Sequence, residues 1–156
     1  MLPPQLAELD LFSLQQDYPE DIIQNDFFVP DSEEQIKLDE TKNVLISLVK
    51  ADNFEHFIDG TAKVYYTGSK FPTTVALNKL YYFMPYLSQK GIRDLYMIKI
   101  ARVGTKAEVH PESKDETLRL VFEIEYLTQL FDDYKKVHLD IWHAFTDTTL
   151  ERITLL

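Results

Sequence analysis

The residues best suited to chemistry in this chain are cations set among aromatics. Lys63, Lys70, Lys79, Lys90, Arg93, Lys99, Arg102 and Lys106 are interleaved with Tyr65, Tyr66, Tyr81, Tyr82, Tyr86 and Tyr96. Phosphate oxygens need cations and unstacked bases need aromatic faces, so the mixture suits recognition of a single strand or a flipped base. Strand alternation or a turn position is expected to expose Lys63, Tyr65, Arg93 and Arg102, and Lys99 is a charged exception in an apolar run. The same composition also describes an ordinary solvated surface over a tyrosine-rich core.

A second set lies near the C-terminus, where His138, Asp140 and Trp142 share one face at period two. A histidine and an aspartate two apart can orient one another for proton transfer, and Trp142 can stack on a base or pack in a core. Four histidines and no cysteine form no zinc-ligand spacing. Glu123 and Glu125 point the same way from one strand, as magnesium-binding or catalytic acids would, and as a solvated face also would. The chain has neither a phosphate-binding glycine loop nor a Gly-x-Ser-x-Gly elbow. No catalytic residue, metal site or cofactor is therefore assigned, and enzymatic activity is not the expectation.

The charge is sorted along the chain. Residues 1–41 hold eleven acids and one base, residues 42–112 ten bases and six acids, and residues 113–156 five bases and nine acids. A net charge of -10 thus conceals a basic middle of +4. The first block sets hydrophobes among acids and prolines, as an extension that offers short anchors to a partner does. It is expected to be largely flexible, with at most a short helix beginning at Pro19. Within it, Glu8-Leu9-Asp10-Leu11-Phe12 resembles the pentapeptide by which many bacterial proteins hook into the replication sliding clamp. On that resemblance Leu9, Leu11 and Phe12 are candidate partner-binding residues; a helix packing Leu9 and Phe12 on its own domain is the other option.

These residues need elements to position them. Val44–Val49 is apolar on both faces and predicts a buried strand. Phe54, Phe57 and Ile58 then recur at helical spacing before Gly60, a suitable cap. Ala62–Thr67 alternates as a strand, with Lys63, Tyr65 and Thr67 on the wetter side. Residues 73–86 fit a helix or a strand, and Pro85 is expected to end either. Residues 94–103 predict a central strand, with Tyr96, Ile98 and Ile100 on one face and Leu95, Met97, Ala101 and Val103 on the other. A polar loop precedes an alternating strand from Leu118 to Tyr126. A last strand is expected over Val137–Phe145, and a capping box at Thr148–Glu151 predicts a short closing helix. The apolar runs are far shorter than the roughly 20 residues of a membrane helix, and the acidic start is unlike a secretory signal. A cytoplasmic location is expected.

Phe54-Glu55-His56-Phe57-Ile58-Asp59-Gly60-Thr61-Ala62-Lys63, then Leu80-Tyr81-Tyr82-Phe83 and Ile92-Arg93-Asp94-Leu95-Tyr96-Met97-Ile98-Lys99-Ile100, follow one order. This order of elements resembles the PUA-like superfamily, in particular its ASCH and EVE branches, over about residues 43–150. The resemblance implies an α+β fold, a small mixed or antiparallel β-barrel of PUA-like type with short flanking helices, at residues 42–156 behind the 1–41 extension. It also implies a cleft that reads RNA or a modified base, with Lys63, Tyr65, Arg93, Lys99, Arg102 and Trp142 as the nucleic-acid-binding candidates. The acidic tail would then be autoinhibitory or bind a partner. Two alternatives stay open: an acidic adaptor that mimics nucleic acid or is tethered to a clamp, and a small hydrolase of modified nucleosides using Lys63 with Thr61 or Glu123.

Overall fold

The computed structural model describes residues 23–24, 37–50, 54–66, 79–108, 111–137 and 144–155. The strands are β1 (Ile23–Gln24), β2 (Asn43–Val49), β3 (Val64–Tyr66), β4 (Leu80–Leu87), β5 (Asp94–Thr105), β6 (Leu118–Gln129) and β7 (Ala144–Thr149). Among the described residues two short α-helices, α1 (Phe54–Ile58) and α2 (Leu150–Thr154), and one turn of 3-10 helix at Lys106–Glu108 complete the α+β fold. The strands form one mixed sheet in the order β3-β6-β5-β4-β2-β7, with β1 added on β5. Only β2 and β4 run parallel. The path ends at β3 and β7 without joining them, so the sheet stays open where a closed barrel is expected from the sequence.

The sheet is buried on both faces by two separate cores. On the first face Leu45, Phe83, Tyr96, Ile98, Ala101, Leu120, Phe122 and Ile124 pack under α1, whose Phe57 ring meets those of Tyr65, Phe83 and Tyr96 edge-on or tilted. On the second, Val44, Ile46, Tyr82, Met84, Leu95, Met97 and Leu127 pack under Leu150 and Ile153 of α2. A strand apolar on both sides, as β2 is, can only sit inside such a sandwich of helices and sheet.

Several local expectations are corrected. Pro85 does not end β4, which runs on to Leu87. The ladder with β5 covers only Tyr82↔Met97 and Phe83↔Tyr96, so the proline, which has no N–H to give, stands beyond it. Of the last expected strand, residues 138–143 lie outside the described residues; β7 is described from Ala144, and Thr148 belongs to it. Thr149 is the N-cap of α2 but makes no side-chain capping bond. The free amides of the first turn are taken by carbonyls instead: Leu150 N–H donates to Lys42 at 2.9 Å and Glu151 N–H to Glu40 at 3.0 Å. Gly60 caps α1 as expected, with φ of 76° and Thr61 N–H donating to His56 C=O at 3.0 Å.

The acidic block contributes to the sheet. A helix from Pro19 would include Ile23 and Gln24, yet these form β1, antiparallel to β5. Near the end of that block Leu38 packs on the second core and Asp39 N–H donates to the Tyr82 hydroxyl at 2.8 Å.

Candidate nucleic-acid interface

A single inserted residue determines what the far end of the sheet displays. In the β5–β6 ladder Ile98 pairs with Ile124 and Ile100 with Glu123, which leaves Lys99 extra. Such a bulge breaks the two-residue alternation. Ala101 and Val103 therefore join Tyr96 and Ile98 on the first core, where strict alternation would place them on opposite faces. Ile100, Arg102 and Gly104 turn to the second face. That face is apolar beneath α2 and changes character at Lys99, whose ammonium lies 3.7 Å from Glu125.

Beyond this point the register lays out a polar surface. Tyr66, Val121 and Arg102 lie side by side across β3, β6 and β5. The next row holds Val64, Glu123, Ile100 and Gln24, from β3 through to β1. On the other side Arg119 faces Gly104, and its guanidinium stands 5.5 Å from the Tyr66 ring centroid while bonding Asp115 at 3.0 Å. Asp115 also accepts from Thr117 N–H, and the Thr117 hydroxyl, that N–H and Arg119, in this order, hold its carboxyl well below the usual carboxylate range. Tyr66, Arg102, Arg119 and Glu123 are half-buried, and Lys99 is exposed. The outer end of the second face thus combines an aromatic ring, two guanidiniums, an ammonium and carboxylates on one set of strands.

The candidates named from the sequence are dispersed. Lys99 and Arg102 lie at this end. Lys63 is exposed just before β3 and outside the row of Tyr66 and Arg102. Tyr65, expected on the wetter side, is turned into the first core. Its ring stacks on Phe83 at 4.7 Å, and its hydroxyl lies 2.5 Å from Ser47 Oγ and donates to Leu48 C=O at 3.2 Å. Burial pushes that phenol up to about 12. The neighbouring Tyr66 occupies the place foreseen for it. Trp142, His138 and Asp140, together with Leu9, Leu11 and Phe12, lie outside the described residues. Tyr66 belongs to the aromatic set read from composition but not to the binding candidates, and Arg119 to neither; a β3–β6 register singles out both.

Arg93 belongs to a different arrangement. Its Nε and one terminal nitrogen reach the Asp94 carboxylate at 3.0–3.3 Å, and it donates to Ile58 C=O at 3.4 Å. The guanidinium lies 4.4 Å from the Tyr134 ring centroid, with Lys90 at 5.7 Å from the same centroid. Its bonds to Asp94 raise the arginine further above its ordinary range. The Asp94 side chain is only 4% exposed and accepts from Tyr126 at 3.5 Å. Tyr96 donates to Phe57 C=O at 3.2 Å, and the Tyr134 hydroxyl is buried without a partner among the described residues. This network clips α1 to the β4–β5 turn, and its ion pair is spent internally.

The residues of a hydrolase do not converge. Thr61 gives its hydroxyl to Asp59 within its own turn and lies 3.1 Å from His56, while Glu123 sits on β6 opposite Val64. Among the described residues no three histidines or acids gather as a metal site, and no helix is long and apolar enough to cross a membrane. Comparison of the chain with protein-family models, with curated proteins and with solved structures finds no match.

Proposed function

We propose that the outer end of the second sheet face binds single-stranded RNA or DNA. Arg102, Arg119 and Lys99 would counter phosphate charge and Tyr66 would stack on a base. The observation that carries this is the row Tyr66–Val121–Arg102 with Arg119 over the tyrosine ring, which brings one aromatic and two guanidiniums together across three strands. Kinship with the PUA-like domains and a cytoplasmic location belong to the same proposal and rest on residue pattern alone. The nearby Glu123 and Glu125 make the surface selective for a ligand that brings base edges as well as phosphates, because a bare polyanion would meet those carboxylates.

The test is a fluorescence-anisotropy titration of the full chain with labelled oligouridine and oligothymidine at low and moderate salt. Replacing Arg102 and Arg119 together by alanine is expected to weaken binding at least about tenfold and to flatten the salt dependence by about one to two counterions. Lys135→Ala, at the opposite end of the second face, serves as the control. Equal affinity of the double variant and the control refutes the assignment. Absence of binding by the unaltered chain at low salt would instead favour the second option, an acidic partner-binding protein, which the net −10 of residues 1–41 supports.

A further inference from the structure

We propose that the base taken up on Tyr66 is guanine and that Glu123 is the residue that selects it; the inference rests on the function proposed above. Tyr66 faces Val121 directly, so its diagonal neighbours on β6 are Arg119 and Glu123, one on either side of Val121. Diagonal pairs of this kind stand about 7–8 Å apart, within reach of long side chains. A ring stacked on Tyr66 therefore has a guanidinium on one flank and a carboxylate on the other.

Glu123 differs from the other acids at this end of the sheet. Asp115 is bonded by Arg119 at 3.0 Å, and Glu125 lies 3.7 Å from the Lys99 ammonium. Glu123 is half-buried in a row between Val64 and Ile100, and among the described residues no hydrogen bond or ion pair reaches its carboxylate. A carboxylate partly withdrawn from water without a donor destabilises the free protein, and a ligand that brings donors relieves it.

The bases differ in what they offer a carboxylate, which can only accept. Guanine presents N1–H and an N2 amino hydrogen side by side, so each oxygen receives a bond. Adenine and cytosine set a single amino donor beside an unprotonated ring nitrogen, and uracil and thymine set one N–H between two carbonyls. Each of these turns an acceptor towards the second oxygen. Guanine also carries the acceptors O6 and N7 on its adjoining edge, for which arginine is the usual partner, in agreement with Arg119 on the far flank of Tyr66.

The test is a fluorescence-anisotropy titration of the full chain with labelled oligouridine and with the same strand carrying one central guanosine, inosine or adenosine, at about 50 mM salt. The guanosine strand is expected to bind about tenfold more tightly than oligouridine, and the inosine strand, which lacks the N2 amino group, to lose most of this gain. Glu123→Gln should reduce the guanosine preference to about twofold or less without weakening oligouridine binding, whereas Glu125→Gln retains the preference. Guanosine monophosphate should displace the guanosine strand only in about hundredfold excess, since it brings a single phosphate; displacement at equal concentration overturns the strand as the ligand. A Glu123→Gln change that moves all strands alike would mark a structural or purely electrostatic role and overturns the selection. Equal binding of oligouridine and the guanosine strand by the native chain also overturns it, while leaving the surface intact. If no strand binds at all, the surface itself fails and guanine selection falls with it.

Discussion

Asp94–Ile98 and Ile100–Thr105 belong to one strand, yet the first five residues are all buried and most of those after Lys99 are half-buried. The first part is held by β4 on one edge and β6 on the other, beneath cores on both faces. The second part keeps β6 but exchanges β4 for the two residues of β1, and one of its faces carries arginine in place of core. The difference comes from one inserted residue and owes little to hydrophobicity. A bulge is thus what converts a strand of the interior into a strand that can present a ligand surface.

The most severe way to break this contrast is to move the cation by one position. Ala101 is fully buried in the first core opposite Phe122, where the bulge has turned it, so Ala101→Arg places an unpaired charge in that core. The expected loss exceeds about 4 kcal/mol, enough to unfold many domains of this size. Lys99→Ala retains the bulge and removes only an exposed ion pair, so it should change stability by less than about 0.5 kcal/mol. Urea unfolding midpoints of the two variants decide the matter; similar midpoints would show that Ala101 does not face the core.

A smaller effect probes the buried half. Asp94→Ala takes the counter-ion from the Arg93 guanidinium, which keeps only its bond to Ile58 C=O, and the acceptor from the Tyr126 hydroxyl, and should cost about 3 kcal/mol by the same measurement. A cost below about 1 kcal/mol would mean that Arg93 finds water readily, and that the two halves differ less than their burial implies.

The smallest effect concerns Tyr65, the tyrosine that faces inward. Tyr65→Phe should cost about 1–2 kcal/mol near neutral pH, since Ser47 and Leu48 lose a partner. Its pH dependence carries more information. The folded-state value, about 12, lies above the ordinary value of 10, so the contribution is fully present below pH 10 and is lost as pH rises through about 12. Over that window the native chain should lose up to about 1.4 kcal/mol per pH unit more steeply than the phenylalanine variant. Parallel pH profiles would show that the phenol is not held in the core.

These cases also show what was legible in the sequence. β5 and β6 announce themselves because their residues alternate with the period of a strand, β2 because it is a short β-branched run apolar on both faces, and Gly60 marks the end of α1 because only a left-handed position needs it there. The bulge at Lys99 leaves no such trace: Tyr96, Ile98 and Ile100 keep perfect alternation in the sequence, and only the partner strand reveals that the third has changed sides. The faces of β3 are inverted for a related reason. Three residues are too few to set a period, so Tyr65 and Tyr66 are interchangeable until Phe122 and Val121 distinguish them. Arg93 looks like any other turn cation, because nothing in Arg93-Asp94 says that the aspartate is buried. Lys99 and Arg102 were found from composition, whereas choosing Tyr66 over Tyr65, and finding Arg119 at all, required register.

The placing of β2 has a consequence for how the chain folds. It lies between β4 and β7, and its first residue, Asn43, is paired with Thr149. Most of the chain must therefore be available before both edges of this apolar strand can be covered. Contacts of such long sequence separation lose loop entropy before they return any stabilisation, so they form slowly. Until β7 arrives, β2 is an unpaired apolar edge of the kind that recruits other chains. Refolding yield should fall with protein concentration for this reason, with the risk centred on the strand that ends as one of the best protected in the native sheet.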